Sequence, residues 1–390
     1  RAIPFLTGVF ILGCGGACGA DQDSPASAPP RAETPAPQTA EASPQTAEPA
    51  ANPTEGEKPV GETPPADEAE ETSEARPAPR LDRSTQFLGA SEHRQRLALA
   101  TQPIADIEKG RGGRSLAFKI TLEDGTVGYY KPEQSFSAAH WYAEVASYYL
   151  DRELGIGRVP PTVGRRLPWA PLRAIAGNDR RVPEIVVQED GTVRGAFIWW
   201  VPGGLDAIDP PEGWERWVRL DGSLSIDPYQ RPREWSRDQR RFRAGTLDPP
   251  AAEAGDPDTP ERAGELSDLI LFDYLTTNVD RWGGSFTNVR TRGEGGPLVY
   301  LDNGAGFTPG PVARIPLMDA RLHGLQRFRR PTLERIRQLD FDRLRRRMAQ
   351  DPLAPILNER QWTHLSERRA HLLEYADGLA ASRGADVFLE

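Results

Sequence analysis

The chain has 390 residues, of which 48 are lysine or arginine and 57 are aspartate or glutamate, for a formal net charge of −9. Residues 21–80 hold 13 of the acidic and 4 of the basic residues, so this segment carries the whole net charge and leaves no argument for a nucleic-acid partner. Both cysteines, Cys14 and Cys18, lie within the first twenty residues, so the body of the chain has no disulfide framework, no thiol nucleophile and no cysteine zinc site.

The opening run RAIPFLTGVFILGCGGACGADQDSP has an apolar core from Ala2 to Gly13. That is too short to span a bilayer and fits the apolar part of an export signal. Ile11–Cys14, ILGC, resembles a bacterial lipobox, whose cysteine is lipidated; a plain secretory signal cleaved near Ala17 or Ala20 is the other reading. The expectation is a signal over 1–20 and an exported lipoprotein, periplasmic or at the cell surface, held to a membrane by its lipid. Residues 21–80 are alanine, proline, glutamate and threonine with almost no large apolar side chain. Such a segment cannot bury enough surface to offset its ordering entropy, so a disordered linker is expected there.

From about Leu81 the composition is globular. Leu116–Pro132 reads as two strands around an Asp-Gly turn, and Ser137–Gly155 as a helix ended by glycine. Gly195–Gly204 reads as a buried strand stopped by Pro202. Residues 206–262 are rich in proline, tryptophan and arginine and look irregular. Gly264–Asn278 reads as a second helix, followed by two short strands, SFTNVRT and PLVYLD, around RGEGG. Helices are expected around Thr332–Gln350 and Asn358–Ser382. Strands dominate early and helices late, the pattern of an α+β, two-lobed domain.

Four positions carry the candidate chemistry. Lys131 closes a strand downstream of the glycine-rich GRGGRS (Gly110–Ser115), where Gly112 and Gly113 would let backbone amides approach phosphates. The plain alternative is a surface turn and a strand-end lysine. Glu144 shares a helical face with Trp141, Val145 and Tyr148, and a carboxylate on an apolar stripe is costly to bury unless paired. Lys131 is its candidate partner; a glutamate at the edge, reaching solvent, is the other reading. Asp280 follows a helix, where a fixed carboxylate can accept a hydroxyl proton. Asp302 follows a buried strand and precedes Asn303 and Gly304, a common way to hold magnesium or manganese. The order helix, Asp loop, strand, turn, strand, Asp-x-Gly is the layout of a phosphotransferase. The arginine-rich run Arg231–Arg243 has two readings, an attractor of acidic or phosphorylated substrates or a solvated amphipathic segment.

LFDYLTTNVDRW and LVYLDNGAGF resemble motifs of the four-jointed box kinases and the related secretory-pathway casein kinases. AEVASYYLDRELGIGRVPPT and YYKP are similar to their helix-C region and to the strand that ends in the nucleotide lysine. The resemblance implies an atypical kinase fold, with a strand-rich N-lobe over 81–205, an insertion or hinge over 206–262 and a mainly helical C-lobe over 263–390. It implies ATP and Mg2+ or Mn2+ as cofactors. Lys131 would contact the phosphates, Glu144 would position it, Asp280 would be the catalytic aspartate and Asp302 the metal aspartate, and Asn278 would brace the loop. Many relatives have an asparagine five residues after the catalytic aspartate; that position is Ser285 here, so either Ser285 or Asn288 would complete the metal shell, or the shell is incomplete. The implied activity is phosphoryl transfer to a protein Ser/Thr hydroxyl. A glycan hydroxyl, or an inactive kinase fold that binds nucleotide or a partner, are the alternatives.

Overall fold

The computed structural model describes residues 82, 84–111, 113–135, 140–208, 213–220, 226–247, 256–282, 288–308 and 314–389. The expected signal and linker, together with Gly112 and Ser285, lie outside these residues.

Helix α1 (His93–Thr101) and strand β1 (Ile104–Lys109) precede the alternating run that forms β2 (Phe118–Leu122) and β3 (Val127–Pro132). The turn between β2 and β3 follows from its residues. Asp124 Oδ1 accepts from Thr126 N at 2.9 Å, and Gly125 supplies φ +80°, which other residues adopt at a cost. Alternation then sorts the side chains: Phe118, Ile120 and Tyr130 are buried on one face, while Tyr129 and Lys131 project from the other. Next come α2 (Trp141–Glu153), β4 (Thr162–Pro168), α3 (Trp169–Ala176) and β5 (Thr192–Trp199). β5 inserts between β3 and β4, giving an antiparallel sheet of order β1-β2-β3-β5-β4.

The two faces of this sheet belong to different cores. Phe118, Ile120, Tyr130, Val163 and Phe197 pack with Leu99 of α1 and Leu172 of α3. Ala196 and Ile198, on the opposite face, join α2 and the later helices in the larger core. Helix α2 is therefore covered on both sides, and Ala143, Val145, Ala146, Tyr148, Tyr149 and Leu150 are all buried. The single apolar stripe expected for it was too narrow. Its alanines, too small to register as a hydrophobic face, mark the side where neighbours approach closely.

The described residues of the 206–262 segment form more regular structure than their composition suggests. A 3-10 turn spans Trp214–Val218, and α4 (Pro232–Arg243) starts with proline in its first turn, where the missing N–H costs nothing. Trp214, Tyr229 and Trp235 are buried, and Trp214 stacks on Trp282 with centroids 5.4 Å apart. Helix α5 (Arg262–Thr276) is buried at every position. Strands β6 (Val289–Thr291) and β7 (Leu298–Tyr300) pair antiparallel, and Asp206–Ala207 adds to β6. The remainder is helical: α6 (Ile315–Gly324), α7 (Arg330–Arg337), α8 (Phe341–Met348) and α9 (Glu359–Arg383). The one helix expected over 332–350 is two, because Asp340 caps α8 by accepting from Arg343 N at 2.9 Å. Asn358 and Gln361 form a capping box that starts α9. The sheet-rich first half and helical second half make the expected α+β fold. Among the described residues, no helix is long and apolar enough to cross a membrane.

Candidate active site

Lys131 lies at the end of β3 on the face turned to α2, and Glu144 lies in the first turn of α2. Their charged groups meet, with Lys131 Nζ donating to Glu144 Oε1 at 2.6 Å. The same ammonium donates to Asp302 Oδ1, also at 2.6 Å. Glu144 is 2% exposed, so its charge is tolerated only through these partners. Its second oxygen accepts from Asn303 N at 3.1 Å, which ties α2 to the loop after β7. Burial works against the Lys131 ammonium, but Asp302 and Glu144 outweigh it and hold its pKa well above the usual lysine range. The Lys131 charge in turn keeps the Asp302 carboxyl below its ordinary value.

The loop after β7 is shaped by backbone geometry. Asp302 has φ +54°, a left-handed conformation that aspartate reaches more readily than most residues but still at a cost. Gly306 follows because a Cβ there would lie 3.1 Å from the carbonyl oxygens of both Asn303 and Thr276. That close approach lets Phe307 N donate to Thr276 O at 2.7 Å, docking the loop on the end of α5. His140 N, just before α2, donates to Gly304 O at 2.9 Å.

α5 stops at Thr277, whose φ of +57° turns the chain into the Asp280 loop. Asn278 is fully buried and joins the two loops: its Oδ1 accepts from Asp280 N at 3.2 Å, and its Nδ2 donates to Asp302 O at 3.3 Å. Asp280 itself faces outward, its side chain 53% exposed, with Arg314 Nη1 3.8 Å away. Asn288 Nδ2 donates to Asp280 O at 3.3 Å.

Arg281 was not singled out by sequence reasoning. Its guanidinium is fully buried and donates to Asp273 at 3.0 to 3.2 Å, to Asn303 Oδ1 at 2.5 Å, to Asn288 O at 3.4 Å and to Leu301 O. Burial raises the Asp273 carboxyl pKa, with Arg281 opposing. The available signal was Asp273 in an otherwise apolar helix, eight residues before an arginine.

Hydrogen bonds thus gather Lys131, Glu144, Asp302, Asn278, Asp280 and Asn288 into one network. Gly113 stands apart from it, in the β1–β2 connection at φ +75°. Its carbonyl accepts from Arg181 at 3.1 Å, which moors the glycine-rich loop to the 179–184 segment. No group of three or more His, Cys, Asp or Glu suited to a metal occurs among the described residues. The donors do fit magnesium or manganese bound together with phosphate. Asp302 uses one carboxylate oxygen for Lys131, and Asn288 commits its amide nitrogen to Asp280, so each keeps a hard oxygen.

Residues 233–386 match a family model described as Fam20C, Golgi casein kinase, C-terminal, Fam20. Human glycosaminoglycan xylosylkinase is 25% identical over 342 residues, covering 78% of each chain. Mouse four-jointed box protein 1 is 30% identical over 230 residues, 53% of this chain and 43% of that protein. The crystal structure of the Golgi casein kinase with Mn/ADP bound shares the fold, with a TM-score of 0.52 at 17% identity over 76% of this chain and 78% of that one. Motifs, sequence relatives and fold agree in what the chain is similar to, the Fam20 and four-jointed kinases.

Proposed function

We propose that this chain is a metal-dependent phosphotransferase that moves the γ-phosphoryl group of ATP onto a serine or threonine hydroxyl of a protein. The observation that carries the reading is the Lys131 ammonium held between Glu144 and Asp302, with Asn278 tying the Asp302 loop to Asp280. Lys131 sets a point charge where phosphate oxygens would lie, and Glu144 fixes its position. Asp280, exposed on a braced loop, orients the acceptor hydroxyl and takes its proton. Asp302 and Asn288 are the residues that would hold the divalent ion, with Ser285 the remaining candidate. When bound, the ion offsets negative charge on the β- and γ-phosphates. The manganese and ADP named for the Golgi casein kinase structure support this pairing of nucleotide and metal.

A glycan hydroxyl is the second acceptor reading. It is favoured by the long match to a xylosylkinase, which spans more of both chains than the four-jointed match does. We also propose that the protein works outside the cytoplasm on a lipid anchor at Cys14; the support is the ILGC run and the composition of 21–80.

Transfer from labelled ATP, with manganese or magnesium, to casein-like peptides and to simple glycans tests the activity. Asp280→Asn is expected to lower transfer by about 10²–10⁴-fold, the range of a lost general base, without moving the melting temperature. An Asp280→Asn protein as active as the wild type would overturn the assignment. Nucleotide-dependent thermal stabilisation without transfer to any acceptor would assign the inactive, nucleotide-binding alternative.

A further inference from the structure

We propose that a basic groove beside Asp280 is an acceptor subsite that receives an anionic sugar, one bearing a carboxylate or a sulfate. The inference deepens the glycan reading and rests on it. The groove has a volume of about 580 Å3 and runs between α4 and the start of α6. Arg233, Trp235, Arg240, Arg314, Pro316 and Leu317 line it. Arg314 is also the side chain whose guanidinium stands 3.8 Å from Asp280, so the groove begins at the group that would hold the acceptor hydroxyl.

Its charge is unbalanced. No aspartate or glutamate occurs among the described lining residues. On α4, Arg237 and Arg241 share Asp238, and Arg231 lies near Glu234. Arg233 and Arg240 have no such partner among the described residues, and they are the two that face the groove. They are seven positions apart, on one face of the helix and about 10 Å from each other along it. Guanidinium forks suit planar and tetrahedral oxyanions, and two of them at this spacing suit charges repeated along a chain about one disaccharide long.

The walls favour a sugar over an extended peptide. Both are helical, so no strand edge is offered to a peptide backbone. Exposed Pro316, backed by the buried Leu317 and Trp235, instead gives an apolar side against which the C–H face of a pyranose can lie. The arginine-rich run Arg231–Arg243 then has a use beyond solvation: Asp238 neutralises Arg237 and Arg241, and Arg233 and Arg240 are left for a ligand.

The test uses the full chain and three oligosaccharides of equal length: uronate-bearing, sulfated and neutral. Calorimetry without nucleotide gives binding, and labelled-ATP transfer gives kcat/KM. The wild type is expected to prefer an anionic oligosaccharide, and the two anionic arms identify which oxyanion is read. In Arg233→Glu/Arg240→Glu the ratio of anionic to neutral binding should fall by about tenfold, two exposed charge contacts being removed and reversed. Arg237→Gln/Arg241→Gln, which pair with Asp238 and do not line the groove, should keep the ratio. Equal binding of all three sugars, or a ratio unmoved by Arg233→Glu/Arg240→Glu, overturns the proposal. So does an acidic peptide that depends on these arginines when the sugars do not. Arginine-dependent sugar binding without transfer to any acceptor would retain the groove and reject the kinase reading instead.

Discussion

Exchanging Glu144 for glutamine preserves shape and removes one acceptor and one charge. In the wild type, one Glu144 oxygen accepts from Lys131 Nζ at 2.6 Å and the other from Asn303 N at 3.1 Å. Glutamine has a single acceptor oxygen. Whichever way the amide is turned, its NH2 group meets a donor, either the ammonium or the Asn303 N–H. One charge-assisted hydrogen bond is lost, worth about 1.5–3 kcal/mol, and a buried donor is left unmet at a further cost of about 1–3 kcal/mol. Asp302 still holds Lys131, so the loss is partial; a total of about 3 kcal/mol is reasonable for the pair of effects. If that loss falls on the transition state, kcat/KM drops by about 100-fold, at about 1.4 kcal/mol per factor of ten. Steady-state transfer, nucleotide affinity by calorimetry and a urea midpoint separate chemistry, binding and folding. The cycle with Lys131→Met should be non-additive, because both changes act on one ion pair. A folded Glu144→Gln protein within about threefold of wild-type kcat/KM, or additive single changes, would refute the coupling.

Arg281→Lys keeps the charge but not the planar fork that reaches Asp273, Asn303 and Leu301 together, so a loss of about 3 kcal/mol is expected. The urea midpoint reads it, and an unchanged midpoint would remove Arg281 from its positioning role. Asp268 gives a pH signature: burial pushes its carboxyl up to about 6, against the charge of Arg329. A folded-state pKa above the unfolded 3.8 means stability present below pH 4 that is lost as pH rises through 6. The stability difference between wild type and Asp268→Asn should shift against the wild type by about 2 kcal/mol between pH 4 and pH 7, and a difference constant with pH would count against it.

What was legible in the sequence was local. Lys131 follows from strand alternation beside an Asp-Gly turn, and Asp280 and Asp302 from their places after a helix and a strand. Arg281 and Asn303 were harder, because their partners sit on α5 and on the backbone after β7 and meet only once the fold is made. The 206–262 segment misled for a different reason. Its buried aromatics, Trp214, Tyr229 and Trp235, carry no helical or strand period, so composition alone read as irregular. Helices α1, α3 and α6 went unread, while the break between α7 and α8 depends on one cap, at Asp340.

The division of burial within the site is itself an argument about catalysis. Asp280 and Asp302 keep half of their side-chain surface exposed, where a ligand can reach them. The groups that fix them, Glu144, Asn278, Arg281 and Asn303, are all essentially buried. Such burial is expensive for charged groups, and replacing a buried ion pair by packed apolar residues is often stabilising. An apolar replacement, however, could not hold the 302 loop in its left-handed turn while also bracing Asp280. The polar chain Lys131–Glu144–Asn303–Arg281–Asp273 crosses from the sheet through α2 and the β7 loop to α5 without a gap. Rigid support under exposed charge is what positioning and electrostatic catalysis require, since the donors and carboxylates then need little reorganisation when phosphate arrives. Under the proposed function the Lys131–Asp302 contact fits the same logic: the ammonium would be held where phosphate charge takes the place of the carboxylate's.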